Sequence, residues 1–378
     1  MTMLDEVGRV GGGETVARWI ATSLDQERFE SWVCATRWDE AQRADPVVAG
    51  FLEALADRGG RFLGLPRDSR LAVGAWRGFV SGLRRERIDI LHAHLFGSSF
   101  WAALLGPVGR VPVIIAHDHN WSFEGQASRR LLDRHLISPR TSAYVTVAEE
   151  SRRKIIEVEG LDPDHVRVVK NGIPEVETSG RARARAALGL ADDAAVIGTV
   201  AVLRPEKSLD VLVEAVAILA PKRPGLRLLV AGEGPERPRL EELIRARGVG
   251  DNVTLLGVRH DVPDLLDAFD VAVCCSAWEG SPISVIEYMR AGLPIVASDV
   301  GGIPSMLEAG VEGVLVPAGD PAALATGIDG LLADKPRRAA IGERARERQR
   351  RDFSLDAMIR SIVELYDELW LAHGRETS

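Results

Sequence analysis

Short apolar runs alternate with helix-length patterns twice along this chain, with one halt between the two series. From Ser31 to Gly172 the runs "SWVCA", "RFLGL", "IDILHAH", "VPVIIAH" and "SAYVTVA" are separated by stretches such as "PVVAGFLEALADRG" and "LAVGAWRGFVSGLRRER". Strands spaced by helices form crossover units that return each strand parallel to the last. Between Asn171 and Asp193 the chain turns polar, charged and glycine-bearing, as a linker with one short helix does. The rhythm then resumes as "AVIGTVA", "LRLLVAG", "VTLLG", "DVAVCCS", "LPIVAS" and "GVLVP".

The expectation is therefore α/β, with two doubly wound Rossmann-like domains, residues 1–175 and 176–355, facing a central cleft. A closing helix over 356–378 is expected to cross back toward the first domain. Its apolar residues Met358, Ile359, Ile362, Leu365, Tyr366 and Leu369 recur at helical spacing. The first strand is expected to be thin, because "MTMLDEV" is short and acidic. In doubly wound sheets ligands bind beyond the carboxyl ends of the strands, so functional residues belong in the loops that follow them.

Composition narrows the function classes. The chain has 378 residues, 46% of them hydrophobic, which is more than one ordinary domain needs for its core. Lys plus Arg total 47 against 55 Asp plus Glu, a net charge of -8, which argues against general affinity for nucleic acid. Cys34, Cys274 and Cys275 form neither a disulfide framework nor a Cys-x-x-Cys pair, so a reducing cytoplasm is expected. No signal peptide pattern and no apolar stretch of about 18 residues is present in the sequence. Basic clusters at Arg129–His135 and Ser151–Lys154 read as solvated helix faces, or as a peripheral contact of the first domain with the inner face of a membrane. The oligomeric state stays open.

In the second half, "AVLRPEKSLDVLVEAV" sets Arg204 and Lys207 in the turn into a helix from about Ser208. Two cations beside a helix start suit a phosphate, although a solvated surface pair is the plainer reading. In "VAGEGPERPRL", Gly232 and Gly234 permit close approach of backbone to a ligand, and Pro235 suits the first helical turn. The segment "SAWEGSPISVIEYMRAGLPIVAS" is the most informative. Glu279 lies in the loop after a strand, Ser281 is placed to cap the next helix and Pro282 to open it. The third helical residue is Ser284, not Glu or Gln, so no capping box consumes the free amides. Glu287 lies five residues beyond Pro282, about 7.5 Å along the axis at 1.5 Å per residue. A diphosphate at the helix mouth would thus have an acid on either side to accept paired hydroxyls.

Taken in order, "EGSPISVIE", "RPEKS", "VAGEGPE", "AGLPIVASDVGGIPSML" and "VVKNGIP" resemble the large family of retaining glycosyltransferases with the two-Rossmann GT-B fold, family 4. The resemblance spans nearly the whole chain. It implies transfer of a sugar from a nucleotide-diphosphate sugar, UDP- or GDP-linked, to a glycan, lipid-linked or small-molecule hydroxyl with retained anomeric configuration. The first domain would take the acceptor and the second the donor. Glu287 would hold the ribose hydroxyls, Glu279 the hydroxyls of the transferred sugar, and Arg204 and Lys207 the diphosphate. Gly232, Gly280, Ser281, Pro282, Ile283 and Ser284 would line the donor, with no metal and no cofactor required. Nucleotide-sugar epimerases share the architecture, and a catalytically silent donor-binding subunit is a third reading; donor turnover without acceptor would mark the former.

In the first half, "GRVGGGET" precedes a helix, and the resemblance carries Gly12 and Gly13 over as donor contacts. His92 with His94, and His117 with His119, stand two apart on strand ends and so share a face. Zinc ligation is one reading, but no cysteine and no defined acid completes the set, which favours neutral hydrogen-bonding groups. By the resemblance His117 touches the transferred sugar, and His94, Asp118 and His119 lie on the acceptor side. Asp162–Asp164, which superficially matches an Asp-x-Asp metal motif, reads as a turn.

Overall fold

A computed structural model describes residues 1–8, 11–67, 72–119 and 126–376. Arg9 and Val10 of the glycine segment, Leu71 at the start of an expected helix, and Asn120 and Trp121 after the second histidine pair lie outside the described residues. The chain divides into two compact units, Met1–Gly172 with Leu355–Ser378, and Ile173–Ser354.

The first unit holds β1 (Thr2–Leu4), β2 (Trp32–Ala35), β3 (Arg61–Gly64), β4 (Ile90–His94), β5 (Val113–Asp118), β6 (Ala143–Thr146) and β7 (Val166–Val168) in the order β3-β2-β1-β4-β5-β6-β7. Every pairing is parallel. The thin first strand sits in the middle of the sheet, paired on one side with β2 and on the other with β4. Three residues suffice there because Met3 and Leu4 are wholly buried between neighbours. Edge strand β7, in contrast, is too short and too polar around Arg167 to stand out as an apolar run.

The second unit holds β8 (Val196–Val200), β9 (Arg227–Ala231), β10 (Val253–Gly257), β11 (Val271–Cys274), β12 (Ile295–Ser298) and β13 (Gly313–Val316) in the order β10-β9-β8-β11-β12-β13, again all parallel. Its strands are covered on both faces, which explains their near-continuous Val, Ile and Leu. Ile197, Leu212, Val216, Leu228, Val273, Val296 and Ile328 are buried in one core. In each sheet the strand order reverses at one point, between β1 and β4 and between β8 and β11. That is where doubly wound sheets bind ligands.

The closing helix, Leu355–Glu376, is part of the first unit. Met358, Ile362, Leu365, Tyr366 and Leu369 turn inward, and Arg28 pairs with Asp367 at 2.8 Å. The Asp162–Asp164 segment forms a turn ahead of β7, with Asp164 N–H donating to Asp162 Oδ1 at 2.9 Å. Among the described residues no helix is long and apolar enough to cross a membrane.

Candidate active site

In the second unit the loops after β8 and β11 are joined through side chains. Past β8 the chain makes a short 3-10 turn, Pro205–Lys207, and enters helix Leu209–Leu219 through Ser208. Lys207 Nζ donates to Glu279 Oε1 at 2.6 Å, and Ser276 Oγ donates to the same oxygen at 2.6 Å. Backbone supports this: Ala277 N–H donates to Glu206 O at 2.9 Å, and Cys275 Sγ to Lys207 O at 3.3 Å. Burial pulls the Lys207 pKa down, but the Glu279 charge and its hydrogen bond outweigh that, and the net shift is upward. Lys207 is therefore a fixed cation. Ser208 has φ 48°, a left-handed conformation that disfavours a side chain, directly beside it. Arg204 differs, with a side chain 47% exposed and only a 3.9 Å approach to Glu206, so solvent screens its charge.

Ser276 was not among the residues singled out in the sequence. Its position two residues beyond β11 and three before Glu279 was the available signal. It and Lys207 both donate to one carboxylate oxygen, Oε1, and no donor to Oε2 is found among the described residues. Replacing Ser276 by Ala removes a hydrogen bond to a charged acceptor, about 1.5 kcal/mol. We expect turnover to fall about tenfold with folding intact, measured by steady-state kinetics beside a thermal melt.

The helix bearing Glu287 runs Ile283–Arg290, one residue later than the sequence implied. Pro282 is its N-cap, with extended ψ 122°, and Ser281 is buried before it rather than capping it. Val285 and Ile286 N–H both reach Pro282 O, whereas Ile283 and Ser284 N–H have no backbone acceptor among the described residues. Two free amides at the positive end of a helix dipole form an anion-binding corner. Glu287 is half-buried, and while its backbone carbonyl accepts from Ala291 N–H at 2.9 Å, its carboxylate has no hydrogen bond or ion pair among the described residues. Burial pushes its pKa up to about 7, against the opposing charge of Arg290. Tyr288 OH, accepting from Val200 N–H at 2.7 Å, ties this helix to the end of β8.

Two glycine readings change. The close approach expected at Gly232 and Gly234 is made to the chain itself: a Cβ would lie 1.8 Å from Ala201 O at the first and 2.4 Å from Leu203 O at the second. These glycines let the ends of β8 and β9 touch, which places Arg204 indirectly. Pro235 precedes helix Arg237–Arg247, and Pro238 takes the first-turn position instead. Gly301, not singled out in the sequence, has φ 54°, and a Cβ there would lie 1.9 Å from Glu279 O. Gly302 N–H donates to that same oxygen at 3.0 Å. We expect Gly301→Ala to lower stability by about 1–3 kcal/mol and to displace Glu279, seen as a lower denaturation midpoint together with lost turnover.

In the first unit, Gly12 opens helix Gly12–Ser23 and is exposed. Gly13 packs against the histidines: a Cβ would lie 3.1 Å from His119 Cγ and 3.0 Å from Leu95 Cδ2. This helix start carries a carboxylate of its own, Glu14, folded over Gly11 so that Oε2 would meet a Cβ there at 2.3 Å. The glycine run therefore brings the helix up to the histidine group more clearly than it offers a vacant anion site.

The parallel register of β4 and β5 sets His94 opposite His117. His92 Nε2 and His117 Nδ1 lie 3.0 Å apart, His94 Nδ1 and His119 Nε2 2.9 Å apart, and His92 Nδ1 is 2.7 Å from Tyr366 OH. All four rings are buried. Burial first, then mutual repulsion, holds the pKa values of His92, His94 and His117 far below the ordinary range, and burial alone lowers His119 to about 3. The group is neutral. Three of its nitrogens, His94 Nε2, His117 Nε2 and His119 Nδ1, are buried without a partner among the described residues. His92, His94 and His117 each offer a ring nitrogen within 4.8 Å of the others, but His92 and His117 already share a hydrogen bond that a metal would have to break. Just past His94, Leu95 has φ 67°, a strained conformation at the ligand end of the sheet.

Asp118 does not join the histidines. Strand alternation turns it to the other face, where its charge acts on Asp133, Arg129 and Tyr144. Burial, followed by the Asp118 charge, pushes Asp133 up to about 7.

The model for glycosyltransferase family 4 matches residues 10–176, and that for glycosyl transferases group 1 matches residues 180–348. The chain is 28% identical over 328 residues to the alpha-D-kanosaminyltransferase of Streptomyces kanamyceticus, covering 79% of this chain and 84% of that protein. It is 31% identical over 308 residues to the D-inositol 3-phosphate glycosyltransferase of Nocardia farcinica, covering 76% and 68%. The solved structure of Anabaena HepE in complex with UDP superposes with a TM-score of 0.83 at 22% identity, over 97% of this chain and 99% of that one. Sucrose-phosphate synthase from Thermosynechococcus elongatus gives 0.79 at 21% identity, over 98% of both chains. Matched by both halves of the family description and carrying the GT-B fold, the chain belongs to the group 1, family 4 glycosyltransferases.

Proposed function

We propose that this glycosyltransferase moves a hexosyl unit from a UDP-sugar to an acceptor hydroxyl, with retention and without a divalent ion. The observation that carries the reading is the Lys207–Glu279 pair followed in sequence by a helix start with two free amides. Lys207, Arg204 and the N–H groups of Ile283 and Ser284 together supply the positive field that a departing diphosphate needs. Glu287 accepts the ribose hydroxyls, and the free oxygen of Glu279 accepts hydroxyls of the transferred sugar. In the first unit His117 offers Nε2 to a sugar hydroxyl, while His94 and His119 serve the acceptor.

The reaction is a front-face substitution. The bond from the anomeric carbon to the diphosphate oxygen breaks and a bond to the acceptor oxygen forms on the same face. The acceptor proton passes to the departing phosphate oxygen, so no enzyme nucleophile is required. The chain's work is to position the reactants and stabilise charge. That HepE has been crystallised with UDP-glucose supports the uracil base as the first choice.

The test is a panel of UDP-, GDP- and ADP-sugars, with and without a chelator, read by mass spectrometry of released nucleotide and by NMR of the product's anomeric configuration. Release from a UDP-sugar in the presence of chelator, with retention, is expected. Strict dependence on added metal, an inverted product, or conversion of the donor to an isomeric sugar without acceptor would each defeat the proposal.

A further inference from the structure

We propose that Tyr366 and His92 are positioning residues that fix the tautomer of His117, so that His117 offers an Nε2–H donor to a substrate oxygen. The inference deepens, and rests on, the proposed role of His117 at the transferred sugar. Its basis is a linear chain of groups: Tyr366 OH lies 2.7 Å from His92 Nδ1, and His92 Nε2 lies 3.0 Å from His117 Nδ1. The rings of His92 and His117 are 7° from parallel, as an edge-to-edge hydrogen bond between imidazoles allows. Beyond His117 Nδ1, the other ring nitrogen, Nε2, is buried and has no partner among the described residues.

Each neutral imidazole carries one N–H and one bare nitrogen, so the direction of the first hydrogen bond dictates all that follow. Two directions are possible in principle. If Tyr366 donates, His92 must hold its proton on Nε2, must donate to His117 Nδ1, and His117 then carries its proton on Nε2. If Tyr366 accepts, every proton shifts the other way and His117 Nε2 becomes an acceptor.

Two facts select the first direction. Tyr366 is 4% exposed and makes no other hydrogen bond among the described residues, so as an acceptor its O–H proton would stay unmet whatever binds, whereas the outward His117 Nε2–H of the first direction is met once a substrate oxygen arrives. A phenol is also a better donor, and an imidazole nitrogen a better acceptor, than the reverse. The rings cannot escape the choice by taking a second proton, since burial and mutual repulsion hold both neutral. Burial likewise keeps the phenol protonated.

The anchor of the chain is on the closing helix, Leu355–Glu376, whose Ile362, Leu365 and Leu369 are buried along with Tyr366, and Tyr366 makes an edge contact with Phe29 at 6.0 Å between centroids. His94 and His119 form a second pair whose two outer nitrogens have no partner among the described residues. Nothing equivalent to Tyr366 among those residues fixes its direction, so the two pairs differ: His117 is committed as a donor, and the His94–His119 pair adapts to what it meets.

The experiment is nitrogen NMR of the full chain labelled at histidine, in the ligand-free protein, where the two ring nitrogens of each tautomer give distinct signals. Wild type is expected to show His117 protonated at Nε2. Tyr366→Phe, which keeps the ring and removes only the hydroxyl, is expected to give a mixture of tautomers and to lower kcat/KM for the donor about fivefold, the loss of one hydrogen bond's bias. His92→Gln, whose amide can still donate to His117 Nδ1, should retain the Nε2–H form, whereas His92→Leu should not. His117 protonated at Nδ1 in wild type, or a tautomer unchanged in Tyr366→Phe, overturns the inference. If the tautomers behave as expected but His117→Ala keeps full activity, the sugar-contact role fails instead, and the two failures are told apart.

Discussion

Replacing Lys207 by Ala is expected to lower kcat about 10²–10³-fold while changing the KM for the donor far less. Lys207 is held firmly in the second unit: its side chain is 24% exposed, its ammonium lies 2.6 Å from Glu279, and it ends a 3-10 turn with Ser208 strained beside it. A cation held in this way stabilises charge that develops on a leaving diphosphate without having to reorganise. Exposed Arg204 cannot substitute for it, because a screened side chain loses entropy each time it is recruited.

A second effect of the same substitution must be separated from the first. Truncation leaves Glu279, whose side chain is only 10% exposed, with Ser276 as its remaining strong partner. Loss of one member of a buried pair typically costs about 3–5 kcal/mol of stability. The double variant Lys207→Ala with Glu279→Gln removes that unpaired charge. It should regain thermal stability but not turnover, measured by melting and by single-turnover release of nucleotide. A Lys207→Ala enzyme with kcat within threefold of wild type would show that the diphosphate is stabilised elsewhere.

Nucleotide binding should depend most on Glu287. Two charge-assisted hydrogen bonds to a ribose, at about 1.5 kcal/mol each, imply that Glu287→Ala weakens the nucleoside diphosphate about 100-fold in Kd, with kcat at saturation changed much less. The same residue imposes a pH dependence. Its carboxyl has a folded-state pKa pushed up to about 7, above the ordinary 4.5, so in the free protein it is largely protonated at mildly acidic pH. Only the ionised form accepts two hydroxyls, so affinity rises with pH and levels off above about 7; one unit below that value it is about tenfold weaker than on the plateau. Glu287→Gln should bind weakly with a flat profile. Calorimetric titration with UDP between pH 5.5 and 8.5 measures both.

The sign for folding is opposite to the sign for binding. Because the folded pKa is the higher one, the folded chain holds an extra proton between about pH 4.5 and 7, and the stability from that proton is lost as pH rises through the folded value. Ligand binding, which recovers hydrogen bonds for the ionised form, should therefore stabilise the protein more at pH 8 than at pH 6. A thermal shift with UDP that shrinks as pH rises would contradict the assignment of Glu287 to the ribose.

The sequence by itself determined the two α/β series, the parallel sheets and the loops in which Lys207, Glu279, Glu287 and the four histidines occur. Those features are written in periodicity, in glycine and proline, and in motifs whose order is more specific than any member. It misplaced a helix start by one residue, because Ser-Pro suits either N-cap and first position or the two residues before the helix. It allowed a thin first strand in "MTMLDEV" but did not place β1 at the centre of the sheet, since so short a run carries no sign of its neighbours. Only the tertiary structure decided that Ser276 shares Glu279 with Lys207, that Gly232 and Gly301 make room for backbone, that Asp118 faces away from the histidines, and that Tyr366, nearly 250 residues further along the chain than His117, stands two hydrogen bonds from it. Local pattern fixes which face of an element a residue takes. Which distant group it meets there, and which proton it then carries, depends on crossings of the chain that no window of sequence contains.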